Sequence, residues 1–521
     1  MTTLSPRAAG ALVLWLGLAA CAAGHVDPDP RAGATGTWPP AWSGAADPLS
    51  IDFTPAPFNP PRADHCRRAP ALRETSDAGA AWRQRREPAA ARAPATLPPA
   101  TLPRERAALD RPADTTAKSS GETAREALSA DRAERVDPAG RVDRDGSSER
   151  EKSALSSLAR APSQSTPMQR PAGERVQAGM VDDNADFGAY LAYRARHPGL
   201  AVRERDIAER YLLQVSDAHG RPVHDAEVAI QRAGVAEPLA WARTDTAGKV
   251  WLHPRAFMAP VLQGESGALG VAVRKGASQA RATLQRGQAH AVQVRLDAAA
   301  TGARSRLDLV FMVDATGSMG DEIAKLKVSM RQMAQQIADL PSRPELCYAL
   351  VAYRDRGDAF LTRSLDFTDD LSAFQAELAR LQAAGGGDTP EALNEALHEV
   401  VHGLSWRAEA ARLVVLVADA PPHLDYGGPQ YDRDMQAALA KGIKIFAVGA
   451  SGLDEIGEYV FRQIAQYTAG RFVFLTYRDP ARPELGTGSR TPHDVSGYSV
   501  ESLDRLIVRL VGEEMARLAR G

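Results

Sequence analysis

Oxygen-bearing side chains are concentrated in three short segments that lie far apart in the chain. The segments are Asp314-Ala315-Thr316-Gly317-Ser318, Asp388-Thr389 and Asp419. Together they offer three hydroxyl groups and three carboxylates, an all-oxygen set that suits a hard divalent cation such as Mg²⁺. The set contains no nucleophile paired with a base, so it indicates binding rather than catalysis.

The elements around these segments predict how they are brought together. The runs Leu309–Val313 and Leu413–Val417 are almost continuously apolar, as expected of strands buried on both faces. Helical spacing of apolar residues follows the first run, and strands and helices then alternate to the end of the chain. We therefore expect an α/β fold with an open, doubly wound, mostly parallel sheet.

In such a sheet, ligands bind beyond the carboxyl ends of the strands. Asp314 and Asp419 each follow a predicted strand. Thr389 lies after a run of glycines and just before Pro390, which we expect to open a helix. The three loops are therefore expected to meet at one edge, where a helix N-terminus would also favour an anion.

The segment 301–521 resembles a von Willebrand factor type A domain. The hallmark of that family is a metal-ion-dependent adhesion site with the pattern D-x-S-x-S, a later Thr and a later Asp. The matching positions here are Asp314, Thr316, Ser318, Thr389 and Asp419. Thr316 replaces the first Ser of the pattern and offers an equivalent hydroxyl group.

The resemblance implies a role for each of these residues. The hydroxyl groups of Thr316, Ser318 and Thr389 would touch the metal, and Asp314 and Asp419 would act through water. The implied cation is Mg²⁺, or else Mn²⁺ or Ca²⁺, with one coordination position left for an outside ligand. The implied partner is a protein that presents an exposed Asp or Glu, and no turnover is expected.

Asp388 is a further carboxylate beside this set. It either supports the metal site or caps the helix that we expect at Pro390.

A second motif suggests a competing function. The sequence His398-Glu399-Val400-Val401-His402 matches the zinc peptidase pattern H-E-x-x-H. The third His of the metzincins does not follow at their spacing, and apolar residues on the same predicted helix leave both histidines toward solvent. A zinc metallopeptidase is the competing class, and a structural envelope assembly factor, whose metal site only docks subunits, is a third.

The first residues predict export. Residues 1–20 combine Arg7 with a short apolar core, which is too short to span a bilayer. The core ends in Leu18-Ala19-Ala20-Cys21, which resembles the bacterial lipoprotein cleavage box. That resemblance implies a lipid on Cys21, and Ala22 favours the outer membrane. We therefore expect a lipid-anchored cell-envelope protein that faces the periplasm or the exterior.

Residues 21–182 are rich in Pro, Ala, Arg, Asp and Ser and poor in large apolar residues, which predicts a disordered tether.

The formal net charge of −2 gives no general attraction to nucleic acid. Three cysteines are too few for a disulfide framework. Cys347 lies in an apolar run and is expected to pack as a small buried hydrophobe.

Residues 183–300 show short alternating runs with turn signals between them, which predict a β-sandwich. A short helix between Asp182 and Arg196 is expected to cap this unit. The run Asp217 to Val228 resembles carboxypeptidase regulatory-like and immunoglobulin-like modules. The resemblance implies a structural or binding role for the sandwich.

Overall fold

The structure, a computed structural model, covers most of the chain beyond residue 174. The residues it describes are 66, 72–76, 175–232, 235, 237–257, 267–297, 305–387 and 389–519. The predicted signal sequence, Cys21 and Asp388 lie outside them. Among the described residues, no helix combines the length and apolar character needed to cross a membrane.

The described strands number sixteen. In chain order they are β1 (Leu72–Thr75), β2 (Gln177–Val181), β3 (Tyr211–Ser216), β4 (Glu227–Arg232), β5 (Ala240–Arg243), β6 (Lys249–Leu252), β7 (Ala268–Lys275), β8 (Ser278–Gln285), β9 (Val292–Arg295), β10 (Arg306–Asp314), β11 (Glu345–Tyr353), β12 (Thr362–Thr368), β13 (Ala410–Ala418), β14 (Ile443–Gly449), β15 (Phe472–Thr476) and β16 (Glu501–Ser502).

Eight α-helices lie within the same ranges. They are α1 (Phe187–Arg196), α2 (Pro254–Phe257), α3 (Gly320–Ala338), α4 (Leu371–Arg380), α5 (Leu393–His398), α6 (Tyr431–Ala440), α7 (Glu455–Tyr467) and α8 (Leu503–Leu518). A π-helical turn, Glu399–Gly403, continues α5.

Nine of these strands form one mixed sheet in the order β1-β12-β11-β10-β13-β14-β15-β2-β16. The central strands β11, β10, β13, β14 and β15 pair in parallel, and the strands at both edges are antiparallel. The predicted α/β class is therefore confirmed for this part of the chain, but the sheet is mixed rather than mostly parallel, because the parallel strands are its central ones only.

Both faces of the sheet are covered, which explains the continuous apolar runs. Leu309, Phe311 and Val313 belong to a core that includes side chains of α3, α4 and α8. Val310 and Met312, which alternate with them, belong to the core on the α5, α6 and α7 side. Since successive strand residues face opposite sides, every position from Leu309 to Val313 needs an apolar side chain.

The seven strands β3–β9 fall in the range predicted as a β-sandwich. They form a three-stranded sheet, β6-β3-β9, and a four-stranded sheet, β5-β4-β7-β8. Inward residues of the two sheets share one apolar cluster. Whether this unit is immunoglobulin-like in class stays a prediction.

The small sheets attach to the large one through buried charges. Asp225 accepts from Arg412 of β13 at 2.9 Å and from Arg243 at 3.1 Å. Burial alone would raise the pKa of Asp225, but the two guanidinium groups hold it below its usual value. A second link runs from Lys444 of β14 to Glu514 of α8, at 2.7 Å, and on to Thr246 of a small-sheet turn.

Two parts of the predicted disordered tether are ordered instead. Strand β1 pairs with β12, and β2 lies between β15 and β16. Three of the four β1 residues are exposed, so backbone pairing to an existing edge holds this strand rather than apolar burial. Composition averaged over a long segment does not detect such a strand.

Cys347 is buried as predicted, but it is not a free cysteine. It forms a disulfide with Cys66, which lies in the predicted tether. The helix predicted before the small sheets, α1, contacts both units. Tyr193 of α1 packs against Tyr459 of α7, and Asp183, just before α1, pairs with Arg462 at 2.6 Å. The Arg210 guanidinium lies over both Phe187 of α1 and Trp251 of β6.

Candidate functional site

The two aspartates that follow central strands lie side by side. Asp314 is the last residue of β10 and Asp419 follows β13, the parallel neighbour of β10. From β10 the chain continues to β11 on one side and later returns to β13 on the other side. The two carboxylates therefore stand at the point where strand order reverses, the usual ligand position in an open α/β sheet.

Hydrogen bonds fix the first loop around Asp314. Its Oδ1 accepts from the Thr316 amide at 2.9 Å and from the Thr316 hydroxyl at 2.7 Å. The Thr316 Oγ1 lies 3.0 Å from the Ser318 Oγ. Asp314 and Thr316 are buried and Ser318 is exposed. The row of oxygen atoms thus leads from the interior to the surface.

The glycine loop before Thr389 rests directly on this first loop. The Gly317 amide donates to the Gly385 carbonyl at 2.9 Å. Gly386 has φ of +63°, and a Cβ there would lie 3.1 Å from the Cβ of Thr316 and 2.8 Å from the Glu391 Oε1. A side chain at Gly386 would therefore be strained as well as crowded. Asp358 braces the loop by accepting from the Gly386 amide at 2.8 Å.

Thr389 is exposed and joined to Pro390 by a cis peptide bond. Among the described residues, no hydrogen bond connects its hydroxyl to the other four predicted ligands. The expectation that Pro390 opens a helix is wrong, because α5 begins only at Leu393. The structure therefore gathers Asp314, Thr316, Ser318 and Asp419 and leaves Thr389 at the rim.

The buried carboxylates lack neutralising partners. Burial and the neighbouring Asp419 raise the pKa of Asp314 to about 7. Burial raises the pKa of Asp419 to about 6, although a hydrogen bond from Ser318 acts in the opposite direction. Within the described part of the chain, no hydrogen bond of normal geometry reaches Asp314 Oδ2 or Asp419 Oδ1, which are both buried. The Tyr353 hydroxyl lies close enough to Asp314 to act against the rise of its pKa, but it carries no positive charge.

Glu391 is a third buried acid, which the sequence did not single out. Burial raises its pKa to about 9, helped by Asp314 and other nearby carboxylates. Its Oε2 also lacks a hydrogen-bond partner among the described residues. The one sequence signal that could have identified Glu391 as a site residue is its position two residues after the predicted ligand Thr389. Orphaned acidic oxygens beside aligned hydroxyl groups fit a hard divalent cation, because a cation would stabilise the ionised forms.

The H-E-x-x-H residues separate into two groups. The Nδ1 of His398 and the Nε2 of His402 lie 3.2 Å and 3.0 Å from the Asp434 Oδ1 of α6, so both histidines face this carboxylate while their side chains stay partly exposed to solvent, as expected. Glu399 Oε1 instead accepts from Arg73 at 2.8 Å and from Ser364 at 3.0 Å. A peptidase base would have to face the metal, so this geometry does not favour the peptidase alternative.

Comparison with known proteins supports the class of domain. A family model of the von Willebrand factor type A domain matches residues 308–480, which supports a domain of this type in the part of the chain that holds the large sheet.

Curated relatives match over short segments. The human von Willebrand factor A domain-containing protein 7 is 37% identical over 89 residues, which cover 17% of this chain and 9% of that protein. A putative ariadne-like RING finger protein R811 of Acanthamoeba polyphaga mimivirus is 34% identical over 117 residues, 22% of this chain and 11% of that protein. The alpha-protein kinase vwkA of Dictyostelium discoideum is 27% identical over 132 residues, 25% of this chain and 21% of that protein. The chain therefore spans less than a quarter of the length of these relatives.

Solved structures also match. A von Willebrand factor type A protein from Catenulispora acidiphila aligns with a TM-score of 0.28 and 16% identity, covering 48% of this chain and 45% of that one. The conserved hypothetical protein BatB from Bacteroides thetaiotaomicron aligns with a TM-score of 0.28 and 14% identity, covering 41% of this chain and 100% of that one.

Proposed function

We propose that the type A domain binds a protein partner through a divalent cation and performs no turnover. The cation would be Mg²⁺, or else Mn²⁺ or Ca²⁺. The residues that would hold it are Asp314, Thr316, Ser318, Thr389 and Asp419, with Asp388 beside them. The observation that carries the proposal is the pair of buried, unpartnered carboxylate oxygens next to aligned hydroxyl groups at the switch point of the sheet.

Each side chain has a distinct task in this proposal. Asp314 orients the Thr316 hydroxyl by accepting a hydrogen bond from it, so that the oxygen lone pairs are directed outward. Ser318 and Thr389 lie at the exposed rim, where a partner can reach. The bound cation supplies the positive charge that a partner's Asp or Glu would recognise. Neutral hydroxyl groups leave much of that charge uncompensated, which favours an acidic ligand.

The proposal is tested first by calorimetry with the purified chain. We expect Mg²⁺ or Mn²⁺ to bind at one site in the wild type and to bind at least about tenfold more weakly in Ser318→Ala. Ser372→Ala is the matched control, because it also removes an exposed hydroxyl beside a helix start. Absence of cation uptake by the wild type would refute the metal site.

The partner is tested separately, by crosslinking on envelope preparations in Mg²⁺ or in EDTA. We expect a crosslinked protein that is lost both in EDTA and in Ser318→Ala. A partner retained in EDTA would contradict cation-dependent recognition. A partner that is a permanent subunit of an envelope complex would instead favour the assembly-factor alternative.

We also propose that Cys21 carries a lipid and anchors the protein in the outer membrane. The cleavage-box pattern before Cys21 supports this anchor. The Cys66–Cys347 disulfide adds support, because such bonds persist in oxidising compartments such as the bacterial periplasm. Membrane fractionation of a Cys21→Ser variant tests the anchor, which predicts release of the protein from the membrane fraction. Unchanged membrane association would refute it.

A further inference from the structure

A second cluster of potential metal ligands lies on α5 and α6, apart from the predicted adhesion site. His398 ends α5, and the π-helical turn Glu399–Gly403 carries His402 directly below it, with 4.5 Å between the ring centroids. Asp434 of α6 faces both rings. The π-turn is closed by the hydrogen bond from the Leu404 amide to the Glu399 carbonyl, at 3.1 Å. Such turns occur often at functional sites.

The donor atoms are spaced like ligands of one cation. The Asp434 Oδ1 lies 3.2 Å from the His398 Nδ1 and 3.0 Å from the His402 Nε2. All three ligand atoms lie within 4.8 Å of one another. Two atoms that are each about 2.0–2.1 Å from a tetrahedral zinc are about 3.3 Å apart. A small adjustment would therefore place an ion between them.

The hydrogen bonds inside the cluster leave one carboxylate oxygen of Asp434 without a partner among the described residues. The side chain is 5% exposed, and its Oδ2 is buried without a hydrogen-bond partner among the described residues. The ammonium of Lys441, on which Asp434 acts electrostatically, donates instead to the Val401 carbonyl at 2.7 Å. Buried carboxylate oxygens normally have a partner, so this oxygen points to a ligand.

The cluster is also open to solvent on one side. The side chains of His398 and His402 are 30% and 37% exposed. A cation could therefore enter from solvent, with the buried carboxylate behind it and water on the outer side.

We propose that His398, His402 and Asp434 bind zinc, or a similar divalent transition metal, at a site independent of the adhesion site. Two imidazoles and one carboxylate are a donor set typical of such metals and unsuited to Mg²⁺. Glu399 is held by Arg73 and Ser364 on the other side of the turn. The ion therefore has a structural role, which is to link α5 to α6.

The probe is Zn²⁺ alone, titrated into the purified full chain in excess Mg²⁺, which saturates the oxygen-only site. A Cys21→Ser background removes the thiol that is not held in the disulfide. We expect one bound Zn²⁺ whose affinity falls by about 100-fold or more in His398→Ala and in Asp434→Asn. His219→Ala, which removes an exposed histidine from a small-sheet turn, is expected to leave Zn²⁺ affinity unchanged.

A spectroscopic measurement on the unaltered cluster covers the case in which a variant fails to fold. Co²⁺ added in place of Zn²⁺ is expected to give the visible absorption of a four- or five-coordinate site with nitrogen ligands, and Zn²⁺ should displace it. No Zn²⁺ uptake by the unaltered cluster, or equal Zn²⁺ affinity in folded His398→Ala, would overturn the proposal.

Discussion

Neutralising Asp314 should stabilise the metal-free protein at alkaline pH while removing its response to Mg²⁺. Burial and Asp419 raise the pKa of Asp314 to about 7, from an ordinary value of 3.8. An acid whose pKa is higher in the folded state binds its proton more tightly there than in the unfolded chain. Its stabilising contribution is complete below about pH 4 and is lost as pH rises through about 7.

The size of this effect follows from the pKa difference. One pKa unit corresponds to about 1.4 kcal/mol, so Asp314 alone should cost the metal-free protein about 4 kcal/mol at high pH. Between about pH 5 and pH 8 the expected loss is about 2–3 kcal/mol, because the unfolded chain is already largely ionised at pH 5. Asp419, whose pKa is raised to about 6, acts in the same direction.

Urea denaturation at both pH values, in EDTA and in Mg²⁺, measures the effect. The wild type should be less stable at pH 8 in EDTA and should recover in Mg²⁺, which stabilises the ionised carboxylates. Asp314→Asn keeps the acceptor for Thr316 but carries no charge, so it should exceed the wild type by about 2–4 kcal/mol at pH 8 in EDTA. If the variant is less stable than the wild type there, or if Mg²⁺ stabilises both equally, the electrostatic account is wrong.

Three further changes test the candidate site and the contacts that hold the fold together. Gly386→Ala should lower Mg²⁺ affinity by about tenfold, because the position has φ of +63° and its new methyl would lie 2.8 Å from a buried carboxylate oxygen; unaltered calorimetry would contradict this. Asp225→Ala should cost about 3–5 kcal/mol in urea denaturation by leaving the charge of buried Arg412 without its carboxylate partner, whereas Glu345→Ala, which removes the exposed pair with Arg306, should cost less than about 1 kcal/mol. Reducing the disulfide between the N-terminal segment and β11 should lower stability by about 2–5 kcal/mol, and an unchanged melting temperature would refute that contribution.

The central sheet and two of its acids could be predicted because their signals are local. An apolar run such as Leu309–Val313 has few interpretations other than a strand buried on both faces. Once two parallel strands are placed side by side, their carboxyl ends lie at the same edge of the sheet. Asp314 and Asp419 then meet as a consequence of topology.

Glu391 shows what local signals do not contain. The residues before it are glycines, polar residues and Pro390, which are typical of an exposed loop. Its burial comes from contacts of the folded loop, including a hydrogen bond from its amide to the Pro421 carbonyl at 3.0 Å. A carboxylate in a loop has the same sequence signature whether it is exposed or buried.

The N-terminal strands were missed for a different reason. Cys66 pairs with a cysteine 281 residues away, and β1 gains its hydrogen bonds from an edge that exists only after β12 has formed. Periodicity and composition report on neighbours along the chain. They contain little information about an exposed strand whose stability comes from a distant partner and a covalent link.

The two ends of the large sheet differ in role: contacts at one end stabilise the fold, and the candidate binding site lies at the other. Arg412 and Lys444 lie near the amino ends of β13 and β14. Arg412 pairs with Asp225, just before β4, and Lys444 pairs with Glu514 of α8, which accepts a hydrogen bond from Thr246 of a small-sheet turn. The unpartnered acids lie beyond the carboxyl ends of the same layer of strands. Removing one member of a buried pair at the first end exposes the other to an apolar surrounding, which is costly. At the second end, the missing positive charge is what the proposed cation would supply, and the cation would in turn bind an acidic partner. A mutation that alters binding without unfolding should therefore be sought at the carboxyl edge, and one that separates the domains should be sought at the amino edge.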